Sequence, residues 1–177
     1  MENTIASIEI REALEADLPA ILALYNDMVL HTTTVYNETP HTIEMRRQWL
    51  SEKQAGNWPV LVATVQGQFA GFATYGPWRA WQGYRFTAEH SVYLQPEFQA
   101  QGIGRLLMTE LIQRARIAGL HVLVAGVDAS NASSIRFHEK LGFSTIGIFP
   151  EVGFKFNRWL NLCMMQKILQ TATDEEV

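Results

Sequence analysis

The stretch Gln99-Ala100-Gln101-Gly102-Ile103-Gly104-Arg105 decides how the rest of the chain is read. It follows an alternating, strand-like segment at residues 89–94 and opens an amphipathic helix that begins near Ile103. Glycine at 102 and 104 removes two β-carbons, so successive backbone N–H groups can close round a phosphate. A helix N-terminus adds about half a positive charge at the same place, which favours an anion there. Gly-x-Gly alone fits an ordinary strand-to-helix turn equally well, and this stretch by itself leaves both readings open.

Upstream, residues 8–11 alternate like a short first strand. Asp17-Leu18-Pro19 predicts a helix start, with Asp17 as cap and Pro19 in the first turn. Leu18, Ile21, Leu22, Tyr25 and Val29 recur at helical spacing to about residue 30. Residues 32–40 read as a loop, and 42 to about 55 as a second helix ending at Gly56. Residues 60–65 and 69–75 form two strands round a Gln66-Gly67-Gln68 turn. An aromatic, irregular segment at 76–85 leads to a strand at 87–94.

Downstream, Ile103, Leu106, Leu107, Leu111 and Ala115 mark a long helix stopped by Gly119. Residues 122–127 are a nearly uniform apolar run, as expected of a central strand covered on both faces. A short helix at 131–141 ends at Gly142, and strands follow at 143–149 and 159–169. A polar, acidic tail at 171–177 is expected to fray. One domain spanning 1–177 is expected, with a folded core at 6–170. Hairpins in the middle and helix–strand alternation in the second half predict a mixed α/β sheet.

Hydrophobic residues make up 47% and charged residues 18%, a globular balance. With 14 basic against 18 acidic residues the net charge is −4, and no basic block occurs. Nucleic acid and anionic membrane are therefore disfavoured as main partners. A lone cysteine, Cys163, forms no internal disulfide, which suits a reducing compartment. There is no basic-then-apolar leader pattern at the N-terminus and no apolar window near the ~18 residues of a membrane span. A soluble, cytoplasmic protein is the expectation.

Gln-x-x-Gly-x-Gly at a helix start resembles the pyrophosphate-binding loop of the GCN5-related N-acetyltransferases, which hold acetyl-coenzyme A. That family also places an Asn at the head of a later helix and Leu-Gly-Phe at its end, here Asn131 and Leu141-Gly142-Phe143. Four further segments look like its phosphinothricin / methionine sulfoximine branch. They are Thr33-Thr34-Val35-Tyr36, Trp78-Arg79-Ala80, the strand at 87–93, and Gly153-Phe154-Lys155-Phe156-Asn157-Arg158-Trp159. That branch acetylates the α-amine of glutamate-like or methionine-like small molecules. The resemblance implies a mostly antiparallel central sheet flanked by helices and splayed between its two central strands. It also implies acetyl-CoA as co-substrate, no metal, a small-molecule acceptor and a homodimer.

Acetyl transfer to an amine needs a held thioester, an oxyanion donor, a neutral amine and a proton for the departing thiolate. The resemblance carries cofactor contacts to Val92, Tyr93 and Leu94, where the splayed strand would pair with the pantetheine arm. It carries them also to Gln99, Ala100, Gln101, Gly102, Ile103, Gly104 and Arg105, and to Asn131 and Ser134. A backbone N–H near Val92 polarising the thioester carbonyl is worth roughly 3 kcal/mol in such sites. Arg105 reads equally as a phosphate contact or a solvated first-turn arginine.

Glu89 aligns with the acid implicated as base in the branch; its other reading is an exposed strand acid. Because an α-amine has a pKa of about 8, roughly a tenth is already neutral at pH 7, so a carboxylate suffices. His138 stands where many relatives have a tyrosine acid. It reads either as proton donor to the thiolate or as a residue packed under the cofactor. His90 points to the opposite face from Glu89 in a regular strand. Acceptor contacts are expected from Tyr36, Trp78, Arg79, Ala88, Glu89 and His90, with Arg79 and Arg85 as partners for a carboxylate. Trp81 and Tyr84 read as interface packing. The phosphinothricin enzymes carry Lys and Arg where Arg79 and Trp81 stand here, so acceptance of phosphinothricin itself is open. Rival readings are acetylation of protein N-termini or lysines, and an acyl-CoA-binding sensor without chemistry.

Overall fold

A computed structural model describes residues 7–169. The expected tail at 171–177 and both outer limits of the 6–170 core lie outside the described residues. The elements run β1 (Ile8–Glu12), α1 (Leu18–His31), α2 (Ile43–Ala55), β2 (Val60–Val65), β3 (Gln68–Pro77) and β4 (Thr87–Leu94). Then come α3 (Ile103–Ile117), β5 (Val122–Asp128), α4 (Ala132–Lys140), β6 (Ser144–Lys155) and β7 (Arg158–Ile168). One sheet holds the strands in the order β1-β2-β3-β4-β5-β7-β6. Every neighbouring pair is antiparallel except β4 with β5.

Alternation along the central strands feeds two cores. On one face Leu61, Ala63 and Ala73 meet the apolar stripe of α3, formed by Ile103, Leu107, Met108, Leu111 and Ala115. On the other, Val60, Val62 and Phe72 pack under Leu18, Ile21 and Leu24 of α1 and Leu50 of α2. Burial on both faces explains why β2 and β5 are nearly unbroken apolar runs.

Two local expectations change. Asp17 does not cap α1. Its carboxylate takes both arms of Arg11, at 2.7 and 2.9 Å, and the Leu14 N–H at 2.8 Å. A two-pronged charged partner outcompetes a single helix N–H. The capping role works at α2, where Thr42 accepts from the Met45 N–H. Strand β6 runs on past the expected end at 149, through Pro150, to Lys155. It manages this as an edge strand with register shifts between Thr145 and Gly147 and between Phe149 and Gly153, where Glu151 takes a φ of 53°. An edge strand with bulges tolerates a missing N–H.

The sheet opens at its centre. The parallel β4–β5 ladder holds only at Thr87–Val122, Ala88–Leu123 and Glu89–Val124. Past Glu89 the strands diverge, and residues 90–94 stay paired to β3 alone.

Candidate active site

At the point of divergence, β4 sends consecutive side chains to opposite faces. Glu89 lies on the face towards β5's Gly126: a β-carbon there would sit 3.2 Å from Glu89 Oε1. Glycine at 126 thus leaves the carboxylate room at the mouth of the cleft. Glu89 is exposed there, yet burial raises its carboxyl above the ordinary value, with the Arg79 charge pulling it back down. A base that binds its proton more firmly than a free carboxylate is suited to taking one from an ammonium.

His90 faces the other way and is buried. Its Nε2 lies 3.0 Å from His138 Nε2, and its Nδ1 3.0 Å from the Val124 carbonyl oxygen. His138, on the second turn of α4, is buried too, with Nδ1 2.7 Å from the Ser134 carbonyl and 3.5 Å from Ser134 Oγ. Phe143 closes one end of the pair and Phe137 meets His138 edge-on. Burial pushes His90 down to about 3 and His138 down as well, while the carbonyls of Val124 and Ser134 pull back towards protonation. His90 is therefore a partner of His138 rather than part of an acceptor wall. Ala88 presents no side-chain surface to an acceptor either: it is fully buried in the α3 core and paired on both edges.

The cleft between the splayed strands has a volume of about 70 Å³ and is lined by Ser91, Val92, Gly126, Asn131, Ser134 and His138 among others. It continues into a groove of about 640 Å³ that runs along Val92, Tyr93 and Leu94 to Gln99, Ala100, Gly102, Gly104 and Arg105. Asn131 and Ser134 line both spaces. Gln101 turns aside, donating from Nε2 to the Glu97 carbonyl, and the Ile103 side chain is sunk in the core. These two offer the groove main-chain atoms.

The two glycines serve different needs. Gly102, at the N-cap of α3, has a φ of 83°, and nothing lies within 4 Å of an added β-carbon; the requirement is backbone conformation. Gly104 is a close-approach glycine, its β-carbon position 3.2 Å from Leu94 Cδ1 and 3.4 Å from Phe137 Cζ. Together they bring the first turn of α3, with its free N–H groups, against the exposed edge of β4. Asn131 caps α4, its Oδ1 accepting from the Ser134 N–H at 3.0 Å.

The remaining expected contacts are spread out. Arg79 is exposed and stacks on Trp78 at 4.8 Å, close enough for its charge to bear on Glu89. Trp78 meets Tyr84 edge-on, and Trp81 is 71% exposed. Arg85 turns back on its own segment, donating to the Gln82 carbonyl and stacking on Phe86. Tyr36 packs on Gly153 and donates to the Asn161 carbonyl at 3.3 Å, tying its loop to the β6–β7 hairpin. Lys155 reinforces that tie by donating to the carbonyls of Thr32 and Val35. Cys163 is sealed in the core beside Thr145, away from the cleft.

Sequence reasoning missed two cleft residues. Thr34 lines both cleft and groove. Asp128, at the end of β5, lines the cleft and is 6% exposed; Ser130 binds its Oδ1 at 2.7 and 2.8 Å while Oδ2 has no partner. An acid directly after the apolar run 122–127 was the available signal.

The sequence pattern of the family described as "Acetyltransferase (GNAT) family" matches residues 21–143. An L-methionine sulfoximine/L-methionine sulfone acetyltransferase of Pseudomonas aeruginosa is 47% identical over 161 residues, covering 90% of this chain and 94% of the relative. A crystal structure described as a ribosomal-protein-alanine N-acetyltransferase from Brucella melitensis is 50% identical, with a TM-score of 0.89 over 91% of this chain and 99% of that one. A phosphinothricin acetyltransferase from Sinorhizobium meliloti, solved with acetyl-CoA, is 33% identical, with a TM-score of 0.89 over 94% and 91% of the two chains.

Proposed function

The chain belongs to the GNAT acetyltransferase family, and from that footing we propose that it acetylates the α-amine of a small amino acid of the methionine sulfoximine or sulfone type. The observation that supports this most is the position of Glu89 and His138. They lie on opposite faces of β4 at the residue where the β4–β5 ladder ends, with an open groove leading from there to loop 99–105.

The residues present fit acetyl-CoA. The left-handed Gly102 and the first turn of α3 offer main-chain N–H groups for a diphosphate. The unpaired edge of residues 90–94 offers peptide groups for an amide-bearing arm. Acetyl-CoA, when bound, supplies the thioester. Glu89, held over Gly126, accepts the proton of the incoming ammonium directly or through a water. Arg79 attracts the acceptor's carboxylate. A main-chain N–H near Val92 stabilises the charge that grows on the carbonyl oxygen. His138 belongs to the group that returns a proton to the thiolate. With the chain's single thiol buried away from the cleft, transfer is direct, in a ternary complex.

The test is a thiol-release assay with acetyl-CoA against methionine sulfoximine, methionine sulfone, phosphinothricin, the common amino acids and alanine-starting peptides. Turnover on the sulfoximine or sulfone, with peptides inert, is expected. Preference for the peptides would establish instead the N-terminal acetylation suggested by the Brucella neighbour.

The proposal includes a cytoplasmic homodimer. No helix among the described residues is long and apolar enough to cross a membrane. Edge strand β6 and its partner β7 expose Ile146, Ile148, Phe149, Val152 and Trp159, each more than half accessible. Such an apolar edge is what a second copy would cover. Light scattering should give twice the chain mass, and Phe149→Glu should give the monomer.

A further inference from the structure

The two buried imidazoles present a proton-counting problem. Three short contacts run in a line: the Val124 carbonyl to His90 Nδ1, His90 Nε2 to His138 Nε2, and His138 Nδ1 to the Ser134 carbonyl. Carbonyl oxygens only accept, so both Nδ1 atoms must carry hydrogen, and the Nε2 contact needs a hydrogen of its own. Two neutral rings hold two such hydrogens between them. The arrangement seen is complete only with a third, which gives the pair one positive charge.

The neutral pair has one fully bonded arrangement as well. His90 keeps its Nδ1–H on Val124, and His138 donates from Nε2 to His90. His138 Nδ1, now bare, accepts from Ser134 Oγ, which lies 3.5 Å away in the present rotamer. The two states differ only in whether His138 Nδ1 donates to the Ser134 carbonyl or accepts from its hydroxyl. Ser134 is half-buried and lines both cleft and groove, whereas both nitrogens of His138 are already engaged in protein contacts.

We propose that Ser134, His138 and His90 form a proton relay in which the Ser134 hydroxyl protonates the departing thiolate and the histidine pair refills it. The proposal rests on the acetyl-transfer reading. As the carbon–sulfur bond breaks, sulfur takes the Ser134 Oγ proton, and Oγ takes the Nδ1 proton of His138. The proton between the rings settles on His138 Nε2, leaving a neutral pair. The proton that Glu89 removed from the amine goes to solvent, and solvent recharges the pair, so the cycle balances. Burial lowers both histidines, so the singly charged pair is a minority form at neutral pH that solvent loads before each transfer. From it the transfer runs downhill to the thiolate, whose thiol has a pKa of about 8.5. Ser134 is the catalytic residue here; His90 is a positioning residue that lets His138 carry charge. Around the pair β5 presents Val124, α4 presents Ser134 and Phe137, and Phe143 closes the end; Asp128 is the acid sharing the cleft, and Glu89 lies across β4.

The experiment measures kcat, KM and acetyl-CoA affinity for wild type, Ser134→Ala, His90→Phe and the double variant. A general acid contributes upwards of about a hundredfold, so each single change should lower kcat by about tenfold or more, and His90→Phe, which lies outside the groove lining, should hold acetyl-CoA affinity within about twofold. The double variant should be no slower than the worse single one, because the groups act as a unit. Full activity in Ser134→Ala, or a double variant slowed by the product of the two single effects, overturns the relay. Should His90→Phe fail to fold, the Ser134→Ala result decides. A pH titration of ring-nitrogen NMR signals reads the same point without turnover. One joint step taking up one proton supports the pair, and two independent steps refute it. An inactive wild type whose rings still titrate jointly would mark failure of the acceptor assignment and not of the shared proton.

Discussion

Glu89→Gln tests the base assignment most directly. The amide matches the carboxylate in shape, so the packing over Gly126, at 3.2 Å from the β-carbon position, survives the change. Only proton affinity is lost. Roughly a tenth of an α-amine is neutral at pH 7, and about nine tenths at pH 9. A base that removes the ammonium proton is worth about a hundredfold or more when the acceptor arrives charged. The variant should therefore lose about a hundredfold in kcat at pH 7, shrinking towards about tenfold at pH 9 as the acceptor deprotonates unaided. Glu89 is not among the residues lining the groove proposed for acetyl-CoA, so the cofactor's Kd by calorimetry should not move. The assay is thiol release at saturating acceptor across pH 6–9. Unchanged kcat at pH 7, or a deficit that stays flat with pH, would remove Glu89 from proton transfer.

Arg79→Ala should raise KM for carboxylate-bearing acceptors far more than for acetyl-CoA. Because the Arg79 charge lowers a Glu89 carboxyl that burial has raised, its loss should also move the acid limb of the kcat profile to higher pH; a limb that stays put would separate the two residues. Gly102→Ala forces a φ of 83° on a residue with a β-carbon, which costs roughly 1 kcal/mol and should lower Tm by about 2–4 °C. Gly104→Val should instead abolish acetyl-CoA binding with a well-folded circular dichroism spectrum, since it wedges α3 off Leu94 and Phe137. Lys53 donates to the Tyr75 carbonyl at 2.7 Å, and burial lowers its pKa from 10.5 to about 8. The unfolded chain then holds a proton that the folded one releases, so its contribution to stability rises between about pH 8 and 10.5. Melting curves of Lys53→Met should lack that rise.

The order of helices and strands, the turn glycines and the phosphate-loop pattern were all legible in the chain, because each depends on neighbours within a few residues. The period of apolar positions gave α3 and the unbroken apolar run gave β2. Asp17 escaped because its partner, Arg11, sits on a strand and not in its own turn. Pro150 marked an end only for a strand paired on both edges, and nothing local says that β6 has a free edge.

What the sequence determined by itself is therefore the set of chemical groups and the elements that bear them. Tertiary structure alone decided which of those groups meet. Glu89 and His90 are adjacent in the chain yet serve opposite faces, and His90 and His138, 48 residues apart, touch at 3.0 Å. Asp128 and Ser134 enter the cleft only because β5 parts from β4 after Val124. Side-chain direction follows from local geometry, whereas the partner waiting at the far end depends on how distant segments pack. That is why Glu89 and His138 were readable as candidates, and the contact between His90 and His138 was not.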